Sequence, residues 1–136
     1  MNYWLLKSEP GVYAWDRLVA DERTHWDGVR NNAAALNLKA MKIGDRAFFY
    51  HSGEERRIVG ICEIARDAYP DPSDPSGRFV MVDVKAVEPV PRPVTLAAIK
   101  AEPKLQEMRL VRESRLSVSP VPAEAWRLIC QMGGVK

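Results

Sequence analysis

Apolar residues fall into short runs whose spacing alternates between the period of a strand and the period of a helix, with turn residues between them. Met1 to Ser8 carries apolar and aromatic residues and halts at Glu9-Pro10-Gly11, which predicts a first strand with Lys7 and Ser8 at its end. From Val12 to Ala20 the positions Val12, Trp15, Leu18 and Val19 recur at helical spacing, so a short amphipathic helix is expected there. Asp27-Gly28 marks a turn. Asn31 or Asn32 supplies a side-chain cap for a helix over Ala33 to Met41 that ends before Gly44.

Arg46 to His51 and Arg57 to Arg66 are β-rich runs joined by Ser52-Gly53-Glu54-Glu55, the pattern of a hairpin. Tyr69 to Gly77 is polar and proline-rich, which predicts a stiff loop rather than a flexible linker. Phe79 to Val87 alternates Phe79, Met81, Asp83 and Lys85 with Val80, Val82, Val84 and Ala86, as a strand with one buried face does, and Pro89, Pro91 and Pro93 are expected to end it. Thr95 caps a short helix from Leu96 to Ala101. A last short strand, Leu116 to Val121, and a terminal helix, Ala123 to Met132, complete the pattern. Strands and helices interleave too closely for two separate cores. The fold class expected is α+β, a small mixed β-barrel with peripheral helices formed by residues 1–136 as one domain.

Composition sharpens this in three ways. Apolar residues make up 46% of the 136 positions and charged ones 28%, the proportions of a globular domain rather than a disordered or fibrous chain. The net charge of +2 and pI near 8.6 are far below what a long phosphate-tracking groove requires, so any nucleic-acid contact is expected to be local. Cys62 and Cys130 lie in apolar runs with neither a CxxC spacing nor a Cys/His cluster, so they are expected to be buried thiols, and neither a metal nor another cofactor is anticipated. No stretch approaches the roughly 18 apolar residues of a membrane span, and a cytoplasmic location, including one at the nucleoid, is expected.

Candidate chemistry is sparse. No GxSxG elbow, HExxH, Walker A loop or GxGxxG after a strand is present, and Ser8 and Ser52 have no evident triad around them. His51 beside Glu54 and Glu55 has the makings of a general base, but a single His at a hairpin loop more commonly makes a structural or ligand hydrogen bond. Aromatic residues inside segments, Trp4, Phe48 and Phe49, are assigned to the core. Trp26 differs, because it falls in a predicted loop before Asp27-Gly28 and Arg30-Asn31-Asn32. An indole there serves equally as a lid on the core or as a platform for a ligand ring.

Five ordered motifs then carry a resemblance. Tyr3-Trp4-Leu5-Leu6-Lys7-Ser8-Glu9-Pro10, Trp26-Asp27-Gly28-Val29-Arg30-Asn31, Phe49-Tyr50-His51-Ser52, Tyr69-Pro70-Asp71 and Ser114-Arg115-Leu116-Ser117-Val118-Ser119-Pro120-Val121 resemble the EVE domain family over essentially the whole chain. That family belongs to the PUA-like superfamily, together with the YTH readers of methylated adenine. The resemblance implies a β-barrel with a pocket between barrel and helices that accepts a flipped-out modified base, including modified cytosine in DNA, with no catalysis. It implies that Lys7, Ser8 and Trp26 are equivalents of positions lining the YTH pocket, with Trp26 as the stacking platform. The base-binding set it suggests is Lys7, Ser8, Trp26, Asp27, Val29, Arg30, Asn31, Tyr50, His51, Ser52, Arg115, Leu116, Ser117 and Val118. YTH readers complete their cage with further tryptophans, and no Trp occupies the loop after Tyr69 here. Lys7, Arg30, Lys39, Lys42, Arg56, Arg57 and Arg115 are the candidate phosphate contacts. The partner expected is nucleic acid with a modified base, DNA ahead of RNA; the alternatives are an RNA-binding or RNA-processing PUA-like protein and a small-molecule sensor domain.

Overall fold

The first strand forms where the sequence predicts it, β1 over Tyr3–Ser8, and it becomes an interior strand of a six-stranded sheet. In the computed structural model, which describes residues 1–136, the order of elements is β1, α1 (Trp15–Asp21), β2 (Arg23–Trp26), α2 (Asn32–Ala40), β3 (Arg46–His51), β4 (Arg57–Pro70), β5 (Val80–Thr95), α3 (Leu96–Ala101), a 3-10 turn (Pro103–Leu105), α4 (Arg109–Arg112), β6 (Val118–Val121) and α5 (Ala123–Gly133). The strands lie in the order β2-β5-β4-β3-β1-β6. β1 runs parallel to β3 and antiparallel to β6, and the remaining pairs are antiparallel. The expected mixed α+β class is therefore present, but β2 and β6 stand at the two ends of the order and no pairing joins them into a closed barrel.

The sheet buries both faces, contrary to the expectation of a single core. Alternation along β3 sends Phe49 into one cluster with Trp4, Leu6, Trp15, Leu18, Trp26 and Leu38, which α1 and α2 cover. Its neighbour Phe48 goes into a second cluster with Leu5, Tyr50, Ile99, Leu110 and Trp126, which α3, α4 and α5 cover. Phe48 stacks on Trp126 with centroids 3.8 Å apart. No helix is long and apolar enough to cross a membrane.

Three departures from the predicted elements bear on the site. The helix expected over Val12 to Ala20 begins only at Trp15 and buries Trp15 and Leu18, leaving Val12 and Val19 in solvent. α1 ends at Glu22, whose backbone takes φ +66° and whose N–H closes the last turn on the Leu18 carbonyl at 2.7 Å. With no glycine to announce that reversal, β2 follows directly and is absent from the sequence reading. β5 runs straight through Pro89 and Pro91 and past Pro93 to Thr95. β2 covers β5 only from Val82 to Lys85, so beyond it β5 is an edge, and the ladder with β4 shifts register between Ile58 and Gly60. A proline, which lacks an N–H, is tolerated at such an edge and bulge.

Candidate functional site

Where β1 ends, the backbone folds back on itself. The Val12 and Tyr13 N–H groups both donate to the Glu9 carbonyl at 2.9 Å, and the Ser8 hydroxyl donates to the Tyr13 carbonyl at 2.6 Å. Facing this turn is the end of β2. Gly28 takes φ +76°, a conformation favourable to glycine, and turns the chain away after Trp26. Its N–H donates to Asp71 Oδ2 at 2.9 Å, and the Arg30 guanidinium donates to Asp71 at 3.2 Å and to the Ser73 hydroxyl at 2.9 Å. The third wall is the segment before β6, held by the Lys7 N–H on the Ser117 carbonyl at 3.0 Å and by Lys7 Nζ on the Ser114 carbonyl at 2.7 Å. Together these enclose a cleft of about 460 Å³, within the size range of small-molecule sites.

The lining mixes apolar walls with convergent polar groups. Val12, Tyr13, Trp26 and Val29 supply the apolar part; Ser8, Thr24, His25 and Ser117 supply hydrogen-bonding groups. Among the lining residues Arg30 is cationic and Glu9 and Asp27 are anionic, while the Lys7 ammonium turns away to the Ser114 carbonyl and the Tyr50 ring, so the cleft carries no excess of positive charge. A cleft of mixed polar and apolar lining with no excess of positive charge suits a neutral heterocycle with hydrogen-bonding edges better than a free phosphate. Burial pushes the Lys7 ammonium below its ordinary pKa. Asp71, behind the Gly28 turn, is held at about 2: burial opposes its charge but hydrogen bonds from Ser73, the Gly28 N–H and Arg30 outweigh it.

Trp26 is the last residue of a strand rather than part of a loop. It is 9% exposed and its ring meets Phe49 edge-on at 5.6 Å. The two roles left open by the sequence coincide, since the ring belongs to the core cluster and also lines the cleft. It is mostly lid, and little of the residue is open to the cleft.

Of the fourteen residues suggested by the resemblance, Lys7, Ser8, Trp26, Asp27, Val29, Arg30 and Ser117 come together in this cleft. The others lie elsewhere. Asn31 caps α2 with its side-chain oxygen on the Ala34 N–H at 2.9 Å. Tyr50 points into the opposite core, where the Lys7 ammonium sits 5.8 Å from its ring centroid. His51 is buried and accepts from the Trp15 N–H at 3.0 Å. Ser52 donates its backbone N–H to the Ser8 carbonyl at 2.9 Å. Leu116 and Val118 are core, and Arg115 is exposed beside the segment that Lys7, not Arg115, ties to β1. The cleft also contains Tyr13, Thr24 and His25, which sequence reasoning passes over. Thr24 and His25 belong to the unpredicted β2, where His25 Nδ1 lies 2.9 Å from Asp83 of β5.

Comparison with known proteins agrees with this geometry. The EVE domain family model matches residues 2–132. Thymocyte nuclear protein 1 of rat, Rattus norvegicus, is 36% identical over 96% of this chain and 73% of its own length. A Rhodopseudomonas palustris protein solved by NMR is 58% identical with a TM-score of 0.95, covering 99% of this chain and 94% of that one. Human THYN1, solved in complex with 5-methylcytosine-containing DNA, is 34% identical with a TM-score of 0.92, over 98% of both chains. The YTH domain of Zygosaccharomyces rouxii MRB1, at 15% identity, a TM-score of 0.61 and coverage of 97% of this chain and 86% of that one, shares the fold. With its motifs in order along the strands and turns described above, this chain belongs to the EVE domain family.

Proposed function

We propose that this chain is a non-catalytic binding module that holds a modified nucleic-acid base, with 5-methylcytosine in DNA as the favoured ligand. One observation carries the reading: a cleft of mixed polar and apolar lining bounded by Trp26, Ser8 and Ser117, in a chain 34% identical to the human protein solved with 5-methylcytosine DNA. The base enters edge-first and rests against Tyr13, Val29 and the open part of Trp26. Ser8, Thr24, Ser117 and the charged groups at the mouth meet its polar edge. Because little of the indole is open, its stacking contribution belongs at the low end of the usual range, about 1 kcal/mol. Burial of one methyl group adds roughly 0.8 kcal/mol, so discrimination between methylated and plain cytosine stays under about tenfold unless a hydrogen bond reads the mark. A cytoplasmic, nucleoid-associated location accords with a ligand of this kind.

Calorimetry with oligonucleotides carrying 5-methylcytosine or plain cytosine tests the reading. The wild-type chain prefers the methylated strand, and Trp26→Leu, which keeps an apolar side chain in the core, weakens that binding about fivefold. Equal affinity of the wild type for both strands sinks the modified-base reading. Full affinity in a folded Trp26→Leu variant removes the indole from it.

A further inference from the structure

The turn that closes one side of the cleft carries an apolar side chain that no core claims. Helical spacing places Val12 with Trp15 and Leu18 on one buried face, yet Val12 is 75% exposed while those two are at most 6% exposed. The other large apolar side chains in solvent, Met1, Val19, Leu36 and Ile43, lie away from the cleft; Val12 is the one on its rim. Its position is fixed rather than loose. Its own N–H and that of Tyr13 converge on the Glu9 carbonyl at 2.9 Å, Ser8 holds the Tyr13 carbonyl at 2.6 Å, and the Tyr13 hydroxyl donates to Asp21 at 2.8 Å. A braced turn thus presents a branched hydrocarbon to water beside a cleft of base-binding size.

A base leaves a duplex stack only at the cost of its stacking and pairing, and the gap it leaves exposes the faces of its neighbours. Proteins that open base steps commonly fill the gap with an apolar wedge. We infer that Val12 is such a wedge, entering the duplex at the position vacated by the base that occupies the cleft, so that the natural ligand is double-stranded nucleic acid. This inference rests on the modified-base reading, and it adds a residue that acts on the duplex rather than on the base.

The two separate in one experiment. Val12→Ser and Val12→Leu are compared with the wild type on a 5-methylcytosine oligonucleotide presented single-stranded and as a duplex, with 2-aminopurine beside the modified base reporting loss of stacking. Loss of the two methyl groups of Val12 is expected to weaken duplex binding about tenfold and to reduce the 2-aminopurine signal, while Val12→Leu retains both. Because Val12 also lines the cleft, the wedge is read from the ratio of duplex to single-strand affinity, which falls in Val12→Ser and stays at the wild-type value in Val12→Leu. Val12→Ser equal to wild type on the duplex overturns the wedge and leaves the base reading standing, as does an equal loss on both ligands, which confines Val12 to its place in the cleft wall. No binding of wild type to either ligand overturns both.

Discussion

His51 uses both ring nitrogens within the protein. Nε2 accepts from the Trp15 N–H, so the proton belongs on Nδ1, which donates to Glu55 Oε1 at 2.9 Å. That hydrogen bond, ahead of those from Arg57, draws the Glu55 carboxyl below the ordinary carboxylate range. The histidine thereby braces the start of α1, while the turn before it is held by its own bonds to Glu9 and Ser8. Replacing it by Phe leaves the buried Trp15 N–H without an acceptor, which costs about 1–3 kcal/mol. Urea denaturation of His51→Phe should show that loss, and calorimetry of the folded variant should show affinity for the modified strand close to the wild type. A large affinity loss with unchanged stability would restore His51 to the ligand site. Sequence reasoning favours a hydrogen-bonding His over a catalytic one, but nothing in the pattern names Trp15 as its partner, because the contact spans 36 positions of chain. The same limit explains the site as a whole. Lys7, Ser8 and Trp26 sit at element ends that turn signals mark, whereas Thr24 and His25 enter through a strand that has four residues and no apolar alternation.

At the scale of elements, α1 is held to the sheet by one close fit. Gly60 of β4 lies under the Trp15 ring, and a Cβ built on it would come 2.5 Å from three ring atoms. Trp15 is 6% exposed and meets Phe49 edge-on at 5.5 Å, so its ring has little room to retreat. Gly60→Ala is therefore expected to destabilise by about 1–3 kcal/mol through overpacking. A thermal melt checks it; an unchanged midpoint would mean that α1 moves away without penalty. β1, β3, α3 and α5 follow the predicted boundaries closely because period, cap and turn residues agree there, as at Thr95, whose hydroxyl accepts from the Ala98 N–H at 3.0 Å. β5 does not, since the proline rule assumes a neighbour on each side of the strand. The 3-10 turn and α4 are too short for periodicity to register.

For the whole molecule, three carboxylates tie the loop side of the sheet together. Asp83 of β5 is buried among Arg23 at 2.8 Å, His25 at 2.9 Å and the Tyr69 hydroxyl, and burial is outweighed by the hydrogen bonds of His25, Tyr69 and Arg23, so it titrates at about 2. Asp71 behaves likewise, and Asp74 is drawn to about 2 by the Ser76 hydroxyl and the Phe79 N–H. Their ordinary value is 3.8, so each contributes stability that is present above that pH and disappears as pH falls toward 2. Denaturant midpoints measured from pH 5 to 2 should fall steeply below about 4, and Asp83→Asn should be less stable at neutral pH with a shallower acid decline. A variant curve parallel to the wild type would show that Asp83 is not among the groups responsible. Another consequence belongs to the free border of the sheet. Pro89, Pro91 and Pro93 have no amide hydrogens to offer, so an incoming extended segment from another copy finds three fewer donors along this stretch to zip against. The prolines thereby make that border a poorer template for fibril growth and strand exchange than an edge with its full set of donors.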